Sequence, residues 1–404
     1  MTQTPKTLPT WQVLLCGAFI VSIAMGIRHG FGLWMQPMTQ TMGWGREDFA
    51  MAIAVQNISW GLVGVFSGML ADRFGAFRVI IAGGLIYALG LFGMAHAASP
   101  TALVLFAGVM VGAAQAGTTF AVVFGVIGRN IPMERRSWAM GVVSAAGSFG
   151  QFLMVPTESM LISHWGWDTA LVFLSIGILV ILPLSWGLRE PGFAAGQAPV
   201  RNQSILQALR EAFAYRSFQL LMAGYFVCGF QVVFIGVHLP SFLKDQGMSP
   251  QLASTALALI GLFNILGTYV AGSLGQVLAK NKILSGIYLA RGIIIAIFIS
   301  LPVTTLSVYI FAASMGLLWL STVPVTNAVI AQIFGVSHLS MLSGFVFLSH
   351  QVGSFLGVWL GGMIYDKTGS YDQVWFITIA LSAFATLINL PVREAAIVRA
   401  PQAA

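Results

Sequence analysis

Twelve apolar stretches, each long enough to cross a bilayer, constrain the fold more than any other feature of the sequence. A membrane-spanning helix needs about 20 mostly apolar residues. Such stretches lie near 11–40, 48–70, 77–97, 101–130, 137–164, 168–188, 217–244, 250–278, 282–302, 305–334, 339–366 and 372–391. Only 8% of the residues are charged, against about 25% in an average soluble domain. The sequence therefore predicts an all-α membrane protein with twelve transmembrane helices.

The positions of the basic residues predict how these helices are oriented. Cytoplasmic loops of membrane proteins are enriched in Lys and Arg. The loops on the side of the N-terminus would hold Lys6, Arg73, Arg78, Arg129, Arg135, Arg136, Arg189, Arg201, Arg210, Arg216, Lys280, Lys282, Arg393 and Arg399. The opposite side would hold only Arg46, Lys244 and Lys367. We therefore expect a multi-pass protein of the cell inner membrane with both termini in the cytoplasm. This distribution also explains the net charge of +7, so we expect no nucleic-acid partner.

The two halves of the sequence repeat each other, with an offset of about 204 residues. GMLADRFGAFRVI from Gly68 is echoed by GSLGQVLAKNKIL from Gly272, and Gly147-Ser148-Phe149 returns as Gly353-Ser354-Phe355. Parallel repeats of this kind form two pseudo-symmetric halves with a binding site between them near the midplane. We predict an N-terminal six-helix bundle over 1–188, a cytoplasmic linker over 189–216 and a C-terminal six-helix bundle over 217–404.

The loop after the second predicted span carries a motif, Gly68-Met-Leu-Ala-Asp72-Arg73-Phe-Gly75, followed by Arg78. Its glycines allow close backbone approach, and its charged residues could latch the loop to a helix. The motif resembles the signature loop of the major facilitator superfamily, and the resemblance implies a role in gating. The second half has Gln276 in place of the carboxylate, so we expect a weaker latch there.

A second resemblance indicates a branch of that superfamily. The run RRSWAMG from Arg135 to Gly141, followed by Ala145-Ala146-Gly147, resembles the start of the fifth helix in the monocarboxylate porter family, and the oxalate/formate antiporter-like branch is the most similar. The resemblance implies a secondary transporter that moves a small organic anion by alternating access, through proton symport or anion exchange. We expect the protein to be a monomer in the lipid bilayer.

Arg28 and His29 lie inside the first predicted span. An ionisable side chain at the bilayer centre costs about 2.5–3.5 kcal/mol on insertion scales, which makes it a functional-site hypothesis. The planar fork of arginine matches a carboxylate. Structural alternatives stay open for both residues. Arg28 could pair structurally or bind a backbone carbonyl at an unwound turn beside Gly26 and Gly30, and His29 could simply pack between helices.

The resemblance also places residues of the second half in the substrate site. His350 stands where oxalate-type porters carry a lysine, Thr268 where they carry a second cation, and Asn264 where eukaryotic-type monocarboxylate porters carry an acidic partner. With Arg28 as one fixed cation, we expect a monocarboxylate such as a keto or hydroxy acid rather than a compact dicarboxylate.

Several further residues are candidates from their position alone. Gln115 and Asn327 are polar at mid-span and Trp319 could form a wall of the cavity, although helix packing favours the same residue types. Glu158 and His350 are the candidates for proton coupling, because a histidine can act as a switchable charge, although Glu158 could instead sit in the headgroup region. For Arg291, in the ninth predicted span, we expect a structural role.

Other functions are less consistent with the sequence. Cys16 and Cys228 both lie in apolar stretches, and no metal-ligand cluster, phosphate-binding loop or Ser-His-Asp arrangement stands out, so we expect no cofactor, no metal and no enzymatic activity. The main alternative is an exporter of amphipathic or drug-like compounds. An exporter of cationic drugs would need a buried carboxylate, which we expect the core to lack.

Overall fold

The computed structural model describes residues 8–190, 204–335 and 338–397, and every regular element within those ranges is helical. The helices of the first part are α1 (Thr10–His29), α2 (Gly32–Met42), α3 (Arg46–Phe74), α4 (Ala76–Ala95), α5 (Pro100–Leu103), α6 (Val111–Thr118), α7 (Phe120–Asn130), α8 (Met133–Trp165), α9 (Trp167–Gly177) and α10 (Ile181–Trp186). A π-helical segment (Val104–Met110) joins α5 to α6, and a 3-10 segment (Ile178–Val180) joins α9 to α10.

The second part continues with α11 (Ile205–Ala214), α12 (Arg216–Asp245), α13 (Pro250–Val277), α14 (Lys280–Ser300), α15 (Thr305–Leu318), α16 (Thr322–Phe334), α17 (Leu339–Thr368) and α18 (Asp372–Asn389). By length and hydropathy, twelve helical segments of the described chain could cross a membrane. The prediction of an all-α protein with twelve transmembrane helices is therefore confirmed. Of the predicted linker over 189–216, residues 191–203 lie outside the described residues and 205–214 form α11.

Three of the predicted spans contain non-helical residues away from their ends. The first breaks at Gly30 and Phe31 between α1 and α2, the fourth at Thr119 between α6 and α7, and the tenth at 319–321 between α15 and α16. The fourth and tenth spans occupy corresponding places in the two repeats. A break frees backbone N–H and C=O groups, and such groups in a membrane must find partners inside the protein. The breaks are therefore where polar side chains are needed.

Buried apolar residues form two clusters, one mainly from α1 to α10 and the other mainly from α11 to α18. The halves meet chiefly where α3 packs on α17, α8 on α13 and α2 on α12. Gly61 of α3 packs against Gln351, and Gly261 of α13 packs against Gln151, in corresponding places of the two halves. In both pairs a Cβ added to the glycine would lie 3.0 Å from the Cβ of the glutamine. The missing side chains thus allow the two halves to approach closely.

The halves are in contact at one end of the molecule and diverge at the other. We call the end where α1 begins and α3 finishes the terminal end, and the end where α3 begins the far end. At the far end, Gly362 of α17 packs directly on the backbone at the start of α3. Toward the terminal end, glycines on the same helix faces as Gly61 and Gln351 have open space where a Cβ would stand, namely Gly64, Gly68 and Gly344, as far as the described residues show. The space between the halves therefore opens toward the terminal end.

Candidate functional site

Arg28 lies in the last turn of α1, directly before the break in the first span. Its Nη2 donates a hydrogen bond of 2.6 Å to Oδ1 of Asn57, and its guanidinium carbon stands 4.7 Å from the ring centroid of Trp60. The Nε group is buried without a hydrogen-bond partner. Among the carboxylates whose side chains the structure describes, none forms an ion pair with Arg28. The guanidinium thus keeps a charge that no described carboxylate neutralises and one buried N–H group without a partner.

A line of aromatic rings connects Arg28 in the first half to His350 in the second. Trp60 meets Phe347 edge to face, with ring centroids 5.2 Å apart. Phe347 in turn stacks on the imidazole of His350 at 5.8 Å, and the ring of Tyr225 lies 5.1 Å from that imidazole. Phe347 packs against both apolar clusters, so this line crosses the interface between the halves. The sequence reasoning missed Phe347, although its position one helical turn before His350 could have indicated it.

The His350 ring is held by neighbours on its own helix. Its Nδ1 lies 3.2 Å from Oε1 of Gln351 and 3.3 Å from Oγ of Ser354. His350 is 7% exposed. The structure thus places His350 on the same aromatic line as Arg28, but each keeps its own hydrogen-bond partners.

His29 occupies a different environment from its neighbour Arg28. Its Nε2 lies 3.0 Å from the backbone carbonyl of Leu257 in α13, and its ring meets Trp319 edge to face with centroids 6.0 Å apart. Both side chains are buried. His29 therefore joins α1 to the second half, in agreement with the packing alternative, and Trp319 is its partner in that contact.

The break in the tenth span is held by Arg291, which is fully buried. Its Nη2 donates to the carbonyl oxygens of Leu318 (2.6 Å) and Trp319 (2.7 Å), its Nε also donates to Leu318 (3.2 Å), and its Nη1 donates to Gln231 (3.3 Å). The last carbonyls of a helix lack partners within that helix, and the C-terminal end of the helix dipole attracts a cation. Arg291 thus stabilises the end of α15, consistent with the structural role expected for it.

Asn264 and Thr268 support the same break. Oδ1 of Asn264 accepts the backbone N–H of Leu320 at 3.0 Å and the hydroxyl of Thr268 at 3.1 Å. The amide nitrogen of Asn264 donates to Oγ of Ser148 in α8 at 3.0 Å. These bonds connect α13 to the broken span and to the first half. Asn264 therefore acts here in helix packing, and its predicted contact with substrate stays a prediction.

Gln115 and Asn327 are placed differently. Gln115 is fully buried in the first half, where its Nε2 lies 3.4 Å from the Tyr87 hydroxyl and its Oε1 has no partner. The Tyr87 hydroxyl donates to the carbonyl of Ala24 in α1. Asn327 is half-buried, and its amide donates to the carbonyl of Val323 in its own helix. Gln115 thus lies behind α1, whereas Asn327 retains exposed surface.

Glu158 is fully buried, which makes the headgroup location considered for it wrong. Its carboxylate packs directly on the α-carbon of Gly30, where no Cβ could be accommodated. Neither carboxylate oxygen has a hydrogen-bond partner. The expectation that the core lacks a buried carboxylate is therefore also wrong. The sequence could not show this, because the burial of Glu158 depends on how α8 packs against the break in the first span.

At the far end, Arg46 joins the two halves through a forked ion pair. Its Nη1 and Nη2 each lie 2.7 Å from an oxygen of Asp245, and Nη1 also donates to the Tyr371 hydroxyl at 2.9 Å. The guanidinium carbon stands 3.7 Å from the ring centroid of Tyr365. Burial raises the pKa of the Tyr371 hydroxyl, so this group remains a neutral hydrogen-bonding partner.

Asp366 completes this contact by accepting the backbone N–H groups of Arg46 (3.0 Å) and Glu47 (2.7 Å) at the start of α3. A carboxylate is favoured at the N-terminal end of a helix. We call the set Arg46, Asp245, Tyr365, Asp366 and Tyr371 the far-end cluster. A cavity of about 220 Å³ lies beside it, lined by Gln36, Thr39, Gln40, Trp44, Gly45, Arg46, Tyr365 and Asp366. The sequence reasoning missed this cluster, although Arg46 stood out as one of few basic residues on its side.

The predicted gating motif lies at the terminal end. Gly75 has φ 87°, a conformation that favours glycine, and it separates α3 from α4. Arg73 and Arg78 are exposed, and Arg78 lies 3.5 Å from the carbonyl of Phe74. The side chain of Asp72 lies outside the described part of the chain, so the latch stays a prediction.

Comparison with known proteins agrees with this architecture. Residues 14–324 match the model of the Major Facilitator Superfamily. The uncharacterised MFS-type transporter YcxA of Bacillus subtilis is 24% identical over 392 residues, covering 94% of each chain. Monocarboxylate transporter 13 of Bos taurus is 26% identical over 400 residues, covering 94% of this chain and 89% of the relative.

Solved structures show the same fold. The crystal structure of a bacterial homologue of the human lysosomal transporter Spinster, in an inward-facing and unoccupied conformation, aligns with a TM-score of 0.77. The alignment covers 95% of this chain and 96% of that one, at 19% sequence identity. The helical architecture and the family match together establish that this chain belongs to the Major Facilitator Superfamily.

Proposed function

We propose that this protein is a secondary transporter that moves a small organic anion, a monocarboxylate such as a keto or hydroxy acid, across the inner membrane. The observation that carries the proposal is Arg28, a cation within the first span that no described carboxylate neutralises and whose Nε lacks a hydrogen-bond partner. An arginine in such a position needs an anionic partner to offset the cost of its burial. The likeness to proteins named as monocarboxylate transporters supports an organic acid as that partner.

In this proposal Arg28, which is half-buried, binds the substrate carboxylate through its guanidinium. Asn57 and Trp60 hold the guanidinium plane in place, and such pre-orientation lowers the entropy lost on binding. His350 contributes a second polar group from the other half. Asn327 and Thr268, which are both half-buried, contact the remainder of the substrate.

Alternating access follows from the contacts between the halves. With the termini in the cytoplasm, as the basic residues predict, the open terminal end faces the cytoplasm and the far-end cluster closes the outer side. Transport requires that this cluster separates while the terminal ends of α3 and α17 come together. The motif from Gly68 to Arg78 lies at the terminal end, where such closure would form new contacts.

Proton coupling through Glu158 is the second part of the proposal. An ionised carboxylate that is buried without partners is destabilised by several kcal/mol, and neither oxygen of Glu158 has a hydrogen-bond partner. In this proposal Glu158 therefore binds a proton in the present conformation and releases it when water reaches the carboxylate, so one proton would move with each anion. If Glu158 does not exchange protons, anion exchange replaces symport.

The binding site is tested first in purified protein by thermal shift against a panel of carboxylates. Bound ligand stabilises the folded state, so wild type should gain stability with its substrate. Arg28→Ala should abolish this gain, and Arg28→Lys should reduce it because a lysine cannot form the bidentate pair. Arg210→Ala, an exposed arginine on α11, is the matched control. Normal transport of the identified anion by Arg28→Ala in proteoliposomes would refute the proposal.

Coupling is tested in proteoliposomes that contain a pH-sensitive dye. Glu158→Gln preserves the shape of the side chain but cannot bind a proton, so anion exchange should continue while uptake no longer responds to a pH gradient. Glu211→Gln on α11 serves as the control. If Glu158→Gln still moves protons with the anion at the wild-type ratio, Glu158 is not the coupling group.

Export of amphipathic or drug-like compounds remains the alternative function, because buried Glu158 is the carboxylate that an exporter of cations would need. It is fully buried against Gly30, whereas Arg28 retains exposed surface. Tetraphenylphosphonium, a lipophilic cation, distinguishes the two functions. Stabilisation by this cation that depends on Glu158 and is indifferent to Arg28→Ala would favour export.

A further inference from the structure

We infer that the transported monocarboxylate carries an aromatic ring, as in an arylacetate or arylpropanoate, and that Phe347 and His350 contact this ring. The inference rests on the proposed role of Arg28 and specifies the substrate class of that site. Its basis is the kind of surface that the protein presents next to the guanidinium.

The surface beside Arg28 is a series of ring faces and edges. The guanidinium lies over Trp60, and Trp60, Phe347 and His350 follow one another at centroid distances of 5.2 and 5.8 Å. These spacings are those of favourable aromatic pairs, which range over about 4.5–7 Å. A ligand whose carboxylate is bound at Arg28 and whose ring follows after a short linker would extend this series. Trp60 and His350 are 8% and 7% exposed, so each keeps a small accessible area.

Two of the amides near the site, Asn57 and Asn264, already have partners within the protein. Asn57 accepts from Arg28 and donates to the carbonyl of Ile53 at 2.7 Å. Asn264 is engaged by Ser148 and by the backbone of the tenth span. A site that recognises a small polar substituent needs free polar groups aimed at it. Because these two amides are occupied, and the Nε2 group of Gln351 is the unpartnered amide nitrogen beside His350, we expect apolar contact with a ring to add to the discrimination.

The position of Phe347 also connects ring binding to the interface. Phe347 belongs to the second half, and its edge-to-face partner Trp60 belongs to the first. A substrate ring between the halves would contact both of them, whereas a two-carbon or three-carbon acid at Arg28 would lie against Trp60 alone. An aryl group therefore lets one ligand bind to both halves, which is what alternating access requires of a substrate.

The test uses three probes on purified protein and in proteoliposomes: 3-phenylpropanoate, 3-cyclohexylpropanoate and lactate. The first two have nearly the same size and differ in aromaticity. Aromatic pairing is worth about a 2- to 10-fold difference in affinity beyond simple burial. We expect wild type to bind 3-phenylpropanoate tightest, with 3-cyclohexylpropanoate weaker by that factor and lactate weakest.

Phe347→Leu should remove the preference for the aryl acid over its cyclohexyl analogue and leave the lactate affinity within about twofold, because a leucine retains bulk without a ring. Phe345→Leu is the matched control, since Phe345 lies on the same helix but pairs with Phe213 of α11. Equal affinity for the two larger acids in wild type, or an equal effect of Phe347→Leu on all three probes, would overturn the inference.

The outcomes separate this inference from the proposed function. If lactate binds in an Arg28-dependent manner and the aryl acid shows no advantage, the proposed function stands and the aromatic class is wrong. If none of the three acids responds to Arg28→Ala, both are wrong.

Discussion

Replacing Arg46 by glutamine should open the far end of the molecule. The substitution removes the forked ion pair with Asp245 and the contact with the Tyr365 ring. An exposed ion pair contributes only about 0.2–1 kcal/mol, but here the side chains of Arg46 and Asp245 are only 11% and 26% exposed and both bonds are 2.7 Å long. Two charge-assisted hydrogen bonds and one cation–π contact, discounted for this partial exposure, contribute about 2–4 kcal/mol to the closed form.

A change of 1.4 kcal/mol corresponds to a factor of ten in an equilibrium constant. The ratio of far-end-open to far-end-closed molecules should therefore increase by about 30- to 700-fold in Arg46→Gln. Spin labels at Thr41 and Gln246, which are exposed at the far end on opposite halves, would report this change as a longer distance by double electron–electron resonance. Cys16 and Cys228 are replaced by alanine so that only the introduced cysteines are labelled.

The control is Arg210→Gln, which removes an exposed arginine of α11 that belongs neither to the far-end cluster nor to the gating motif, and it should leave the far-end distance unchanged. Asp245→Asn should resemble Arg46→Gln, and the double variant should open little further because both changes remove the same contact. A distance distribution in Arg46→Gln identical to that of wild type would refute the idea that this cluster holds the halves together.

Two further predictions concern stability. Arg291→Met leaves the carbonyls of Leu318 and Trp319 buried without a donor and should lower the free energy of unfolding by about 3–5 kcal/mol, whereas Arg291→Lys should recover part of this loss. Unfolding in detergent, followed by tryptophan fluorescence, measures the effect. If Arg291→Met were as stable as wild type, the role assigned to Arg291 would be contradicted. Gly353→Ala places a Cβ against the carbonyl of Phe226 and should destabilise by about 1–3 kcal/mol, whereas Gly344→Ala, in the same helix with open space around it, should be neutral or stabilising by up to about 1 kcal/mol. If both substitutions destabilised the protein to a similar extent, the packing of α12 on α17 would not be what decides the effect of replacing Gly353.

The number and type of the helices could be predicted from the sequence because the bilayer imposes a strict requirement. Backbone groups in hydrocarbon must be bonded within their own segment, so an apolar run of sufficient length has to be helical. Placing Arg28 inside the first span required only its position in such a run. The repeat likewise predicted two halves, because similar segments recur at one spacing in the sequence and can be recognised without knowing how the helices pack.

The positions of individual side chains depended on tertiary structure. The rotation of a helix about its axis is decided by contacts with its neighbours. If the position of a helix break is predicted wrongly by a few residues, the face predicted to be buried changes as well. The sequence could therefore not reveal that Glu158 packs on Gly30, or that His29 turns away from Arg28 toward Leu257. The ring series from Trp60 to His350 likewise forms only when α3 and α17 meet. The sequence by itself determined which segments are helical and that a cation lies among them, and the packing of the helices decided what that cation faces.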